Sequence, residues 1–352
     1  MTGPMTPKER VMTALRREQP DKVPFTVYEY KIPQCAIERD LRNQGLCIVH
    51  RMRSYKVFHP NVIEKSYHYA DEKNRHVIRT IYATPLGDLS TLTEPADFTT
   101  WKHEYLFKSE DDYKKLLFIL RDLTAVPDYD TAAQKVQMLG SDFVVRDQLL
   151  LEPLQALISD YMGTETFCYQ WMDNRDQVME LYDALLENSR KVLRLVAEGP
   201  LEFANLGGNV VPTIIGADTF RKYYVPVYNE AAELLHKRNK LIGCHLDADN
   251  TIIMDDIANT SLDYIEAYDA GISPPVKTAR EKWPDKVLWL NWPSAWHLLD
   301  HDQVYQKTKC LLDEAYPCNG FIIGITEDLP EDRWQGNFKT IMDAIDGYGT
   351  PV

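Results

Sequence analysis

The sequence has no apolar run long enough to cross a bilayer, and its opening residues, "MTGPMTPKERVMTALRRE", contain no apolar core of a secretory signal. A membrane or exported protein is therefore not expected. Basic residues are the scarce charge: 39 Lys and Arg stand against 53 Asp and Glu, a formal net charge of −14. Phosphate binding draws on clustered cations, so nucleic acid is not expected as a partner. The six cysteines (Cys35, Cys47, Cys168, Cys244, Cys310, Cys318) are scattered, without a C-x-x-C pair. That usage suits reduced thiols and a cytoplasmic location better than a disulfide framework. No G-x-G-x-x-G follows a strand pattern, which counts against a dinucleotide-binding sheet. The glycine pair in "NLGGN" (205–209) lacks the Lys and Ser/Thr of a phosphate loop. Internal repeats, low-complexity segments and linkers are likewise missing.

What is there is a chain of 352 residues with 44% hydrophobic residues, seven Trp and twenty Tyr, enough for a large core and an aromatic pocket. "TPKERVMTALRRE" reads as a helix capped by Thr6, with Pro7 in its first turn and Val11, Met12 and Leu15 as an apolar stripe. "VPFTVYEY" reads as a strand, and residues 76–94 as a hairpin around a Pro–Gly turn. From residue 140 onward continuous apolar strands alternate with amphipathic helices, the pattern of parallel strands buried on both faces. We expect a single α/β domain over 1–352, a (β/α)8 TIM barrel. Residues 1–100 would supply an N-terminal helical and hairpin extension with the first strand, and 140–352 the regular βα units.

Barrel chemistry sits at the C-terminal ends of the strands, so each strand is read there. "LIGC" ends in His245, followed by Asp247 and Asp249. "DYIEAYD" carries Glu266, then Tyr268 and Asp269. "VLWLNW" ends in Asn291 and Trp292, "FIIGIT" leads into Glu327, "FTVYEY" holds Glu29, and "EFAN" ends in Asn205. His245, Glu266 and Glu327 could converge as a zinc set with an open position. The blander alternative is that His245 bonds a backbone carbonyl and that Asp249 or Asn250 caps the next helix. Glu266, between Ile265 and Ala267 in an apolar strand, needs a partner or a metal if buried. Strand alternation points Cys244 away from His245.

The segments "KERVMTALRREQPDKVPF", "TPLGDL", "CHLDADN", "DYIEAYDAG", "AREKWPDKVLWLNWP" and "GITEDLP" together resemble the uroporphyrinogen decarboxylase superfamily, whose fold is a (β/α)8 barrel. The arginine-rich "MRQAGR" motif that holds the acidic tetrapyrrole in the decarboxylase itself has no counterpart near "VPFTVYEYKIPQ". An anionic substrate would meet Glu29 there instead. The resemblance is closer to the zinc-dependent methyltransferases that work with a corrinoid protein. Their His-x-Cys corresponds to His245 and Asp247, their intermediate glutamate to Glu266, and their final-strand cysteine to Glu327.

Carboxylates in place of thiolates make a harder site, suited to an oxygen substrate. The resemblance thus implies transfer of a methyl group from a methoxylated small molecule to a corrinoid carried by a separate protein. Zn2+ would be held by His245, Glu266 and Glu327, with Asp247 and Glu29 as further catalytic groups. Tyr28, Asn205, Tyr268, Asn291 and Trp292 would contact the substrate, while Trp289, within an apolar run, reads as core. No D-x-H-x-x-G motif is present, so the corrinoid would arrive on another chain. The alternatives are a metal-free decarboxylase and a non-catalytic barrel that binds a corrinoid or tetrapyrrole. Homodimerisation is left open.

Overall fold

The computed structural model describes residues 4–96 and 99–349. Eight parallel strands close into a barrel, numbered here in chain order: β1 Phe25–Tyr28, β2 Leu46–Met52, β3 Phe143–Gln148, β4 Phe203–Leu206, β5 Leu241–His245, β6 Tyr264–Asp269, β7 Val287–Asn291 and β8 Phe321–Ile325. Each pairs with its neighbours in sequence, and β1 pairs with β8 in the register Phe25↔Ile323. The expected (β/α)8 barrel is what the chain forms. Strands β7 and β8 are buried at every residue, as apolar runs enclosed on both faces must be.

The barrel interior is filled by Val49, Val144, Phe203, Tyr264, Trp289 and Ile322. The helix Pro7–Leu15 packs Val11, Met12 and Leu15 onto this cluster. Its capping box is complete: Glu9 N–H reaches the Thr6 hydroxyl at 3.2 Å, and Thr6 N–H reaches the Glu9 carboxylate at 2.8 Å. Trp289 is core as expected, its indole N–H donating to the Thr26 hydroxyl at 3.0 Å.

The chain divides into two compact units. The barrel unit takes in the chain up to Ser54, Tyr129–Leu149 and the chain from Val196 on; the second unit comprises Tyr55–Asp128 and Leu150–Leu195. Residues 1–100, expected as one extension, are therefore shared between the two. The second unit carries a four-stranded antiparallel sheet, Ile63–Ala70, His76–Thr84, Gly87–Pro95 and Thr100–Glu104, in that order. Its central hairpin is the one legible in 76–94, with the Thr84 hydroxyl donating to Gly87 O at 2.7 Å across the turn. Strand β2 and the outer strands of this sheet did not show as apolar alternation in the sequence. Among the described residues no helix is long and apolar enough to cross a membrane.

Candidate active site

A cavity of about 510 Å³ opens at the C-terminal ends of the barrel strands, where loops of a (β/α)8 barrel carry function. Glu29, Asn205, His245, Asp247 and Glu327, named from the strand ends, line it together with Tyr28; Arg51, Arg53 and Arg146 also line it, and the strand-end reading did not include them.

The centre of the site is Glu266. It is fully buried on β6, and both of its oxygens are engaged. Oε1 takes the Arg146 guanidinium from β3. Oε2 accepts from Asn205 Nδ2 at 3.1 Å and lies 3.2 Å from His245 Nδ1. Burial alone would raise the Glu266 carboxyl, but the Arg146 charge and the His245 ring overcome it and hold it down at about 2. Arg146 is 2% exposed and needs this partner just as much.

His245 ends β5, in register with Glu266 on the neighbouring strand. Its Nδ1 also lies 3.3 Å from the Tyr28 hydroxyl, and its Nε2 lies 3.4 Å from Asp247 Oδ2. Burial would lower this imidazole, yet hydrogen bonds to Asp247 and Glu266 push it up to about 9, so without a metal the ring is cationic at neutral pH. Burial, with the Glu266 charge adding to it, pushes the Tyr28 phenol well above its ordinary range. Arg51 lies over the Tyr28 ring, 3.8 Å from its centroid, and holds Glu29 at 3.3 Å. Lys31 pairs with Asp328 instead.

Two backbone devices shape this corner. The loop after β4 passes so close to His245 that a Cβ on Gly208 would lie 2.0 Å from the His245 carbonyl oxygen, and Gly208 has a φ of +91°. Gly208 of "NLGGN" thus serves close approach to the backbone of His245. In β6 the register to β7 shifts between Glu266 and Tyr268, with Ala267 at a φ of 61°. This bulge reverses the alternation of side chains along the strand.

The reversal corrects one expected contact. Tyr268, two residues beyond Glu266, would share its face in a regular strand. After the bulge it packs edge-on against Trp283 and donates its hydroxyl to the Pro274 carbonyl, fully buried and away from the cavity lining. Asn291 and Trp292 are also buried off the lining: Asn291 Oδ1 accepts from Thr326 N–H at 3.0 Å, and Trp292 packs edge-on against Trp296. Cys244 points away from the cavity, 3.3 Å from the Tyr228 hydroxyl. Asp249 accepts the Thr251 N–H at 2.9 Å in a local turn, while Asn250 holds the cap position of the following turn without a side-chain cap bond, so neither residue caps it as expected.

The oxygen and nitrogen donors at the cavity fall in a different grouping from the expected His245, Glu266 and Glu327. Glu266 is occupied from behind by Arg146 and Asn205, so it orients His245 rather than offering a ligand oxygen. His245 Nε2, Asp247 and Glu327 are the donors that face the cavity. Burial and the neighbouring Asp247 charge raise Glu327 above its ordinary range, although His245 and Lys31 pull in the other direction. Among the described residues no three His, Cys, Asp or Glu side chains stand together at ligating separation. Glu327 would have to move toward the His245–Asp247 pair.

The arginines are the residues the sequence reading missed. Arg146 sits in "FVVRDQ", among the apolar strands expected after residue 140 but not read at its end, and Arg51 sits in the unrecognised β2. The cavity thus carries arginines that the missing "MRQAGR" motif did not announce, with Arg146 paired to Glu266 and Arg51 to Glu29.

No family model matches the sequence, and no curated protein matches it. Solved structures do match in fold. A methyltransferase from Methanosarcina mazei superposes with a TM-score of 0.60 at 14% identity, over 98% of this chain and 99% of that one. A B12-independent methionine synthase from Shewanella covers 89% of this chain and 85% of its own at 10% identity and a TM-score of 0.41. At this level of identity the chain shares the (β/α)8 fold of the Methanosarcina mazei methyltransferase along nearly its whole length.

Proposed function

We propose that the barrel mouth is the active site of a methyl-transfer enzyme acting on a methoxylated small molecule, with a corrinoid on a separate protein as acceptor. The observation that carries this reading is the orientation of His245. A buried Arg146–Glu266 pair holds its Nδ1, so its Nε2 is presented to the cavity beside Asp247. A carboxylate behind a histidine, fixing its tautomer and raising its basicity, is the usual support of a metal ligand. His245, Asp247 and Glu327 would hold zinc, which supplies Lewis-acid stabilisation of the departing alkoxide or phenolate. The chain's own groups bind and orient: Asn205 keeps an unpartnered buried Oδ1 at the cavity for a substrate hydroxyl, and Tyr28 with Arg51 forms one wall. The end-to-end fold match to a methyltransferase supports the reaction class.

The test pairs metal analysis of protein purified without chelator with an assay of methyl transfer from aryl methyl ethers to free cob(I)alamin. Stoichiometric zinc, lost in His245→Ala and Asp247→Ala together with methylcobalamin formation, is the expected result. Zinc-free protein that transfers no methyl group sinks the proposal.

A second reading, a metal-free decarboxylase, is favoured by Arg51, Arg53 and a cationic His245 on one cavity. These would hold a substrate carboxylate and stabilise the carbanion left by CO2 loss. Substrate-dependent CO2 release that is insensitive to chelator would select it.

A further inference from the structure

The sheet of the second unit has two unlike edges. The strand Thr100–Glu104 is five residues long, and its pairing with Gly87–Pro95 is broken by a register shift at Leu92/Thr93. The opposite edge, Ile63–Ala70, runs eight residues in unbroken register against His76–Ala83, from Ile63↔Ala83 to Ala70↔His76. All eight of its residues are exposed, including Ile63 at 62%, Tyr67 at 52% and Tyr69 at 41%. No other strand among the described residues pairs with its outer side. Proteins blunt such edges with proline, a bulge, a short strand or charge. "IEKSYHYA" has neither proline nor glycine, is not bulged, and carries one Glu and one Lys.

We propose that Ile63–Ala70 is a dimerisation edge, on which two copies of this chain pair antiparallel about a two-fold axis at Ser66. The register follows from ladder geometry. Along a strand the N–H and C=O groups point alternately to either side, so residues facing each other across an antiparallel pair must have the same orientation. In a two-fold pairing of one strand with itself, the axis must then pass through a residue. Only Ser66 and Tyr67 lie near enough to the centre to use most of the strand.

With the axis at Ser66, Glu64 of each copy faces His68 of the other, Lys65 faces Tyr67, and Ile63 faces Tyr69. One face gains two carboxylate–imidazole pairs, and the other gains ammonium–aromatic and apolar contacts. With the axis at Tyr67, Glu64 would face Ala70 and the carboxylate–imidazole pairs would be lost. The strand is thus self-complementary in one register, as an isologous interface requires. The pairing joins two four-stranded sheets into one of eight, uses the Ile63–Ala70 edge of both copies, and leaves only the short, register-shifted Thr100–Glu104 strands at its ends.

The test is the solution mass of the full chain together with a crosslink. A concentration-dependent rise from 40.7 kDa toward twice that mass is expected. Tyr67→Lys, which sets two ammonium groups opposite each other, should hold the protein at the monomer mass with its circular dichroism unchanged. In a Cys35→Ser, Cys168→Ser, Cys310→Ser background, Ser66→Cys should form an intermolecular disulfide on mild oxidation, and Lys65→Cys should not. A monomer at hundreds of micromolar, a dimer indifferent to Tyr67→Lys, or equal crosslinking by both cysteine variants would each overturn the proposal.

Discussion

Arg146 and Glu266 form a salt bridge across the barrel from β3 to β6, with the arginine 2% and the glutamate 0% exposed. Neither residue has water to fall back on, so each is the condition for the other's charge. The pair explains how a carboxylate survives inside an apolar strand. It also explains why the neighbouring histidine is aimed at the cavity.

Arg146→Ala should therefore destabilise the protein by about 3–5 kcal/mol, because it strands a buried carboxylate. Urea unfolding measures this. Adding Glu266→Gln to that variant should recover part of the loss, since the charge left without a partner is then gone. A loss equal to that of an ordinary surface substitution would show the pair to be solvated.

In the metal-free protein His245 should titrate at about 9, well above its ordinary 6.5. The raised value means that its contribution to stability is full below 6.5 and is lost as pH rises through about 9. Glu266 works in the opposite sense: its contribution is present above 4.5 and fades as pH falls toward about 2. NMR of the ring carbons checks the first value. Glu266→Gln should lower it, and a His245 titration left in place by that substitution would leave Asp247 as the cause and remove Glu266.

For zinc affinity the two carboxylates should behave differently. Glu266→Gln keeps a hydrogen-bond acceptor behind His245 and should weaken binding by roughly 10–100-fold, the usual effect of altering a ligand's support. Asp247→Ala removes a donor and should cost more. Competition titration with a zinc chelator ranks them, and the reverse order would return Glu266 to the ligand set.

Gly208→Ala should destabilise the protein by more than about 2 kcal/mol, combining a strained positive φ with a collision against His245. Thermal unfolding reads the loss. A variant of unchanged Tm would mean that the loop moves freely away from His245.

Tyr268→Phe loses one buried hydrogen bond and should cost about 1 kcal/mol of stability with kcat/KM unchanged. Tyr28→Phe, on the cavity wall, should reduce kcat/KM at similar stability. A large kinetic effect at Tyr268 would place it in the site after all.

The barrel was legible because its determinants are local. Continuous apolar runs of strand length alternate with amphipathic helices, and parallel strands enclosed on both faces permit little else. The same logic picked out His245, Asp247, Glu327, Glu29 and Asn205 as cavity-lining positions, since strand ends form one rim. Tertiary structure decided the rest. Glu266 became the support of His245 because Arg146, 120 residues earlier in the chain, arrives from across the barrel. Tyr268 left the cavity because a bulge at Ala267 reversed the pleat, and no pattern of hydrophobicity records a bulge. A sequence shows which side chains stand near the ends of strands. Which of them meet, and whether a carboxylate finds a guanidinium or an open cavity, depends on contacts between residues far apart in the chain.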